Sequence, residues 1–217
     1  MIDRDRAPSD TAPPAHERLY RMLRARIMYG LIPPGRPLTL RGLAAEFGVS
    51  TTPAREAVRR LVAEGALKLT PSGRISTPEL TSERIEELAA LRALLEPELA
   101  SRALPRAHPA LIDRMAAING VIDEMVVKAD ASGYLRTNLE FHRTLYLRAQ
   151  APAILGLVET VWLQAGPTMH ALYARLQRQQ GPANHRKIIA ALRARDEPGL
   201  RLAIRIDVTQ GLRMLAV

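Results

Sequence analysis

Leu19, Leu23 and Ile27 recur at four-residue spacing between His16 and Gly30, which predicts an amphipathic helix over that stretch. Ile32-Pro33-Pro34-Gly35 then forces a turn. Two short helical patterns follow, Leu40 to Phe47 and Pro53 to Gly65, with Gly48 supplying the left-handed residue that closes the first. Thr52 as N-cap and Pro53 at the first helical position open the second. Short helices joined so tightly read as a helix-turn-helix. Residues 66–70 and 74–76, joined through Pro71-Ser72-Gly73, read as a hairpin beside it, a wing. Thr77-Pro78-Glu79-Leu80 is the linker, and from Thr81 the pattern is helical to the end.

Thr81 caps a helix running to about Leu104 that Pro97 is expected to kink. Further helices are expected near 109–129, 131–149, 152–179 with a break at Gly166-Pro167, 182–194 and 197–216. Residues 1–15, polar and proline-containing without periodicity, read as a mobile tail. The expected fold is mostly α: a winged helix-turn-helix over 16–78 and an antiparallel all-α bundle of about six helices over 79–217.

Charge sharpens this picture. The 217 residues carry a formal net charge of +9, which favours polyanionic partners, nucleic acid first. Residues 1–80 hold +5 of that excess, so charge is densest in the predicted winged helix. There is no Cys, which excludes disulfides, thiol nucleophiles and Cys-ligated zinc and suits a reducing interior. No apolar run is long enough to span a bilayer and the start lacks a signal-peptide core, so a cytoplasmic protein without a membrane partner is expected.

In a helix-turn-helix the second helix enters the major groove and its first residues reach the base edges. Here those are Thr51, Thr52, Arg55 and, a turn later, Arg59. Arg55 offers a bidentate fork to guanine, and the threonine hydroxyls suit phosphates or a thymine methyl. Arg41 at the start of the preceding helix, with Gly73 and Arg74 at the wing tip, would flank this edge and clamp phosphates. For any one arginine, a solvated surface charge is the competing reading.

The bundle carries polar groups at core positions. Arg92 lies in the stripe Ile85, Leu88, Leu95, Leu99, so it needs a partner: an anionic ligand or a neighbouring carboxylate. Asn138 and His142 share a face with Leu135 and Leu145, His185 goes with Ile188, Ile189 and Leu192, and Asp207 with Leu200 and Ala203. Two imidazoles, a carboxylate and an amide oxygen aimed at one core suit a divalent metal such as zinc, manganese or nickel. Hydrogen-bonded core polar groups are the alternative. His170 and Tyr173, after the expected break, would line the same cavity or simply pack, and His16 and His108 read as surface residues near helix starts.

The run from Gly30 to Gly35, the run from Leu43 to Leu61 (LAAEFGVSTTPAREAVRRL) and Glu64-Gly65 together resemble the winged helix of the GntR family of transcriptional regulators, over most of 16–78. That family usually has Arg at the position of Thr51, a departure that bears on operator choice. Arg92 to Glu96, Asn138 to His142 and Asn184 to Leu192 resemble the FCD effector domain of its FadR-like branch, over 81–217. In many relatives an Asp or Asn and three His hold a metal to which a small carboxylate binds. Asn138, His142 and His185 match three of those positions, and Asp207 stands where the third His would be. Six helices would fit the VanR-like subgroup.

The resemblance thus implies a homodimeric regulator, a repressor by default, on a pseudo-palindromic double-stranded operator. A small organic acid held by the metal, Arg92 and His170 would control it. Two other classes compete: a metalloenzyme built on Asn138, His142, His185 and Asp207, and a winged-helix interaction module that has lost DNA binding.

Overall fold

A computed structural model describes residues 13–176 and 183–213, with the backbone alone for 170–176 and 211–213. Most of the expected tail therefore lies outside the described residues. Helix α1 (Ala15–Met28) buries Leu19, Tyr20, Leu23 and Ile27 on one face, as the spacing predicts. A two-residue strand β1 (Pro37–Leu38) precedes α2 (Leu40–Glu46), whose N-cap Thr39 accepts a hydrogen bond from the Gly42 amide at 3.0 Å. After Gly48 at φ +62° comes α3 (Thr51–Ala63).

Helix α3 starts two residues earlier than expected. Ser50 is its N-cap, so Thr51 and Thr52 sit inside the first turn and Pro53 takes the third position. Proline is still tolerated there, because the first-turn amides have no intrahelical partner to lose. Strands β2 (Lys68–Leu69) and β3 (Ile75–Ser76) form the wing, with Gly73 at φ +81° in its turn. The sheet order is β1-β3-β2, all antiparallel, with Leu38 opposite Ile75 and Lys68 opposite Ser76. Two residues are too few to show a period of two, so β1 left no trace in the sequence pattern.

Six helices follow among the described residues: α4 (Ser82–Ala103), α5 (Pro109–Val127), α6 (Ala131–Tyr146), α7 (Pro152–Leu176), α8 (Ala183–Ala194) and α9 (Glu197–Arg213). Thr81 caps α4 as expected, accepting from the Arg84 amide at 3.3 Å. The break expected at Gly166-Pro167 does not occur, and α7 is continuous through both residues. Gly166 is there for close approach: a Cβ on it would stand 2.2 Å from the Ile27 carbonyl oxygen and 2.8 Å from the Met28 α-carbon. Packing of α7 onto the end of α1 therefore supports the helix across the hydrogen bond that Pro167 cannot donate.

Helix α7 belongs to both halves. Leu163 is wholly buried in the winged-helix core with Leu19, Leu23, Ile27 and Leu61, while Val158 and Trp162 pack into the bundle core. Gln164 donates to the Glu64 carbonyl at 3.0 Å and accepts from Arg84 at 2.7 Å. No helix among the described residues is long and apolar enough to cross a membrane.

Candidate nucleic-acid edge and candidate metal centre

The apolar residues of α3 fix which side of it is free. Ala54, Ala57, Val58 and Leu61 are buried, which leaves Thr51, Thr52, Arg55 and Arg59 exposed along the opposite face. Arg41 at the start of α2 and Arg74 beside Gly73 in the wing are exposed too. None of Arg41, Arg55, Arg59 and Arg74 forms an ion pair within the chain among the described residues. Arg60, round the helix, is by contrast held: it pairs with Glu17 at 3.0 Å and Glu64 at 3.3 Å and covers the Tyr20 ring at 3.6 Å. One edge of the domain thus presents cations whose charge nothing among the described residues neutralises.

In the bundle, α6, α8 and α9 bring His142, His185 and Asp207 together, their ligand atoms all within 4.8 Å of one another. His142 Nε2 lies 3.0 Å from Asp207 Oδ2, and His185 Nε2 lies 3.7 Å from the same oxygen. Both imidazoles are almost fully buried, and burial pushes the His185 pKa down to about 4, keeping that ring neutral. Burial works against the Asp207 carboxylate, yet the neighbouring His185, His142 and Arg92 outweigh it and hold its pKa below the ordinary value.

The partners of the other ring nitrogens favour one tautomer of each ring. The Tyr146 hydroxyl donates to Glu96 Oε2 at 2.9 Å, so toward His142 Nδ1 at 3.2 Å it accepts, and Nδ1 bears the proton. Asn119 donates through Nδ2 to Asp123 at 3.3 Å and turns its Oδ1 to His185 Nδ1 at 3.2 Å, which fixes the second ring alike. In those tautomers each Nε2 turns toward Asp207, and His142 Nε2 stands 3.0 Å from Asp207 Oδ2, where a proton or a metal cation can sit between them. Two imidazole nitrogens and a carboxylate oxygen converging in this way suit a divalent cation, and outer hydrogen bonds of this kind orient metal-binding histidines.

Arg92 is buried, as its stripe predicts, and the carboxylate alternative describes it: its Nε donates to Glu96 Oε1 at 2.5 Å, one turn along the same helix. Glu96 also accepts from Trp162 Nε1 at 3.0 Å and from Tyr146, so one wholly buried carboxylate ties α4, α6 and α7 together. Burial opposes the Arg92 charge, but Glu96 more than compensates and raises its pKa. Asn138, one turn before His142, is half-buried and lines a cavity of about 10 Å³ with Arg92, Leu135, Trp162 and Met169. The side chains of His170 and Tyr173 lie outside the described residues. His16 is exposed as expected, and His108 caps α5, accepting from the Leu111 amide at 3.2 Å.

Sequence reasoning gave no role to Glu96, Tyr146, Trp162 or Asn119. The signal for Glu96 was its spacing of four from a buried Arg, and for Asn119 a lone amide in the stripe Met115, Ile118, Ile122.

A winged helix with a free basic edge, packed on a helical bundle with a buried polar centre, is the architecture of a DNA-binding transcriptional regulator. The chain belongs to the GntR family of bacterial regulatory proteins, which residues 15–75 match, and carries an FCD domain over 87–209. It is 26% identical over 196 residues to the HTH-type transcriptional regulator McbR of Escherichia coli K12, covering 89% of each chain. The solved structure of E. coli McbR/YncC superimposes with a TM-score of 0.84 over 94% of this chain and 98% of that one. The gluconate operon transcriptional repressor of Bacillus subtilis is 30% identical over 149 residues, 69% of this chain and 59% of the repressor. These relatives are regulators rather than enzymes, and neither the metalloenzyme nor the interaction module finds support among them.

Proposed function

We propose that residues 16–78 bind a pseudo-palindromic operator, that residues 79–217 sense a small organic acid, and that the chain works as a homodimeric repressor in the cytoplasm, where its DNA is. The observation that carries the DNA reading is the contrast on α3: Arg55 and Arg59 are unpaired where Arg60 is tied to two glutamates. Arg55 reads a base, while Thr51, Thr52, Arg41, Arg59 and the wing's Gly73-Arg74 hold the backbone.

His142, His185 and Asp207, with Asn138 a turn away, would hold a divalent metal, which when bound supplies a Lewis-acidic charge for a carboxylate to meet. The cavity beside Arg92 and Asn138 has room for about one water-sized group, so an organic acid enters only if side chains such as Trp162 and Met169 shift. Ligand binding is therefore coupled to movement of α7, and through Leu163 to the winged helix. Reciprocity requires operator binding to change ligand affinity by the same factor.

Selection of genomic fragments on the full-length protein, followed by gel-shift titration, tests the DNA reading. One recurrent palindrome is expected, with Arg55→Ala weakening specific binding by about 1–3 kcal/mol through loss of its bidentate pairing with a base. Unchanged affinity in that variant would remove Arg55 from base reading.

A further inference from the structure

A second, larger cavity lies outside the metal centre, between the two halves of the molecule. It has a volume of about 730 Å³, within the range typical of small-molecule sites. Helices α1 and α3 form one wall and α5, α6 and α7 the other. Six arginines and three glutamates line it, an excess of three positive charges. Its floor is amphipathic, with Tyr20, Met28, Leu139 and Trp162.

Arg21, Arg60 and Arg143 are bonded to glutamates, whereas Arg24, Arg114 and Arg136 are held loosely or not at all. Arg24, from the winged helix, has only 23% of its side chain exposed, and its nearest carboxylates, Glu64 and Glu159, both stand 3.6 Å away, beyond hydrogen-bond length. Arg136, from the bundle, has no ion pair among the described residues. Arg114 reaches Glu140 only at 3.7 Å, while Arg143 is bonded to Glu159 at 3.0 Å. These guanidinia approach from different helices on both walls. A planar carboxylate presents two oxygens to one side, whereas a phosphate presents oxygens in several directions and matches forks converging from several elements.

We infer that this interdomain cleft is a binding site for a multiply charged organic phosphate, a sugar phosphate or nucleotide, bridging Arg24 of the winged helix and Arg136 of the bundle. Operator DNA is not the source of that phosphate. Arg60, at the cleft, points about 100° round α3 from Arg59 and is held by Glu17 and Glu64 instead of standing free on the edge that meets the groove. The site shares Leu139 and Trp162 with the small cavity beside Arg92 but uses none of His142, His185 and Asp207. A ligand there joins the two halves, and so sets how freely the winged helix moves on the bundle.

Trp162, the only tryptophan, lines both this cleft and the small cavity beside Arg92, so its fluorescence reports on either and the variants below separate them. Full-length protein is titrated with fructose 1,6-bisphosphate, magnesium-free ATP and inorganic phosphate at physiological salt, by Trp162 fluorescence and calorimetry. At least one organic phosphate is expected to bind and to outcompete inorganic phosphate. Arg136→Glu is expected to weaken it roughly tenfold or more, the scale of one charge-assisted hydrogen bond removed. Arg193→Glu makes the same charge change on exposed α8, away from the cleft, and is expected to leave binding intact. Both variants are expected to bind random duplex equally.

Three results overturn the inference. Absence of saturable binding by either organic phosphate removes the site, and equal weakening by Arg136→Glu and Arg193→Glu reduces it to diffuse attraction to a basic protein. Loss of binding in His142→Ala assigns the phosphate to the metal centre.

Discussion

His142 and His185 owe their readiness as ligands to two neutral partners. The Tyr146 hydroxyl and the Asn119 amide oxygen each hold an Nδ1 proton, and so leave each Nε2 bare toward Asp207. Tyr146→Phe deletes the acceptor while keeping the ring volume, and Asn119→Leu does the same for His185. Each is expected to lower metal affinity by roughly 10–100-fold without loss of fold, as read by metal titration beside thermal unfolding. Unaltered affinity in both would show that these hydrogen bonds do not orient the ligands, and absence of metal binding by the parent would show the histidines to be hydrogen-bonded core residues instead. Glu96 answers a different need. It is wholly buried and accepts from Arg92, Trp162 and Tyr146, so Glu96→Ala leaves a buried guanidinium unpaired and is expected to cost about 3–5 kcal/mol in denaturant unfolding. Burial and the Glu96 charge both raise the Tyr146 pKa well above its ordinary value, so its hydroxyl stays a donor to Glu96 across the working pH range.

Among the elements, α7 joins what the sequence presents as separate units. Adjacent residues Trp162 and Leu163 enter different cores, the bundle and the winged helix, because successive residues on a helix point about 100° apart. Gly166 lets α7 lie against the α1 backbone, and Gly166→Ala puts a methyl group where the Ile27 carbonyl oxygen already is. Backbone cannot swing aside as a side chain does, so a loss of about 1–3 kcal/mol is expected, with a lower melting temperature. A neutral result would show that the two helices separate readily. The same glycine shows where the sequence misleads: Gly166-Pro167 has the composition of a helix break, and only a neighbour from a distant part of the chain, Ile27, explains why it is not one. Helices whose signals are local, such as α1 with its four-residue stripe or α4 with its Thr81 cap, were legible almost to the residue. In the site, His142, His185 and Asp207 were legible because each is polar on an apolar stripe. Tyr146 and Trp162 were not, because aromatic residues on such a stripe read as core until their polar tips find partners.

At the scale of the whole molecule, the proposed homodimer has to place two winged helices on one stretch of DNA. Helices α4 and α9 pack side by side, bridged by Arg201 and Glu98 at 2.9 Å, and both leave apolar residues in water: Leu94 is 70% exposed and Leu202 59%, with Leu91 and Ile206 beside them in sequence register. Exposed leucines on adjoining helices are what a homodimer face requires, and a second copy would bury them by the same patch on both subunits. A double variant Leu94→Glu, Leu202→Glu is therefore expected to shift the protein from dimer to monomer in light scattering. Its DNA binding separates two contributions. A dimer presents the free Arg41, Arg59 and Arg74 of both subunits to phosphates, and each phosphate neutralised steepens the fall of log K with log salt by about 0.9. The monomeric variant keeps every one of these side chains but only one subunit's worth per binding event, so its salt slope is expected to be about half that of the parent. A slope unchanged by the double variant would mean that a single subunit already makes all the phosphate contacts, and that pairing through α4 and α9 is not how this regulator meets its operator.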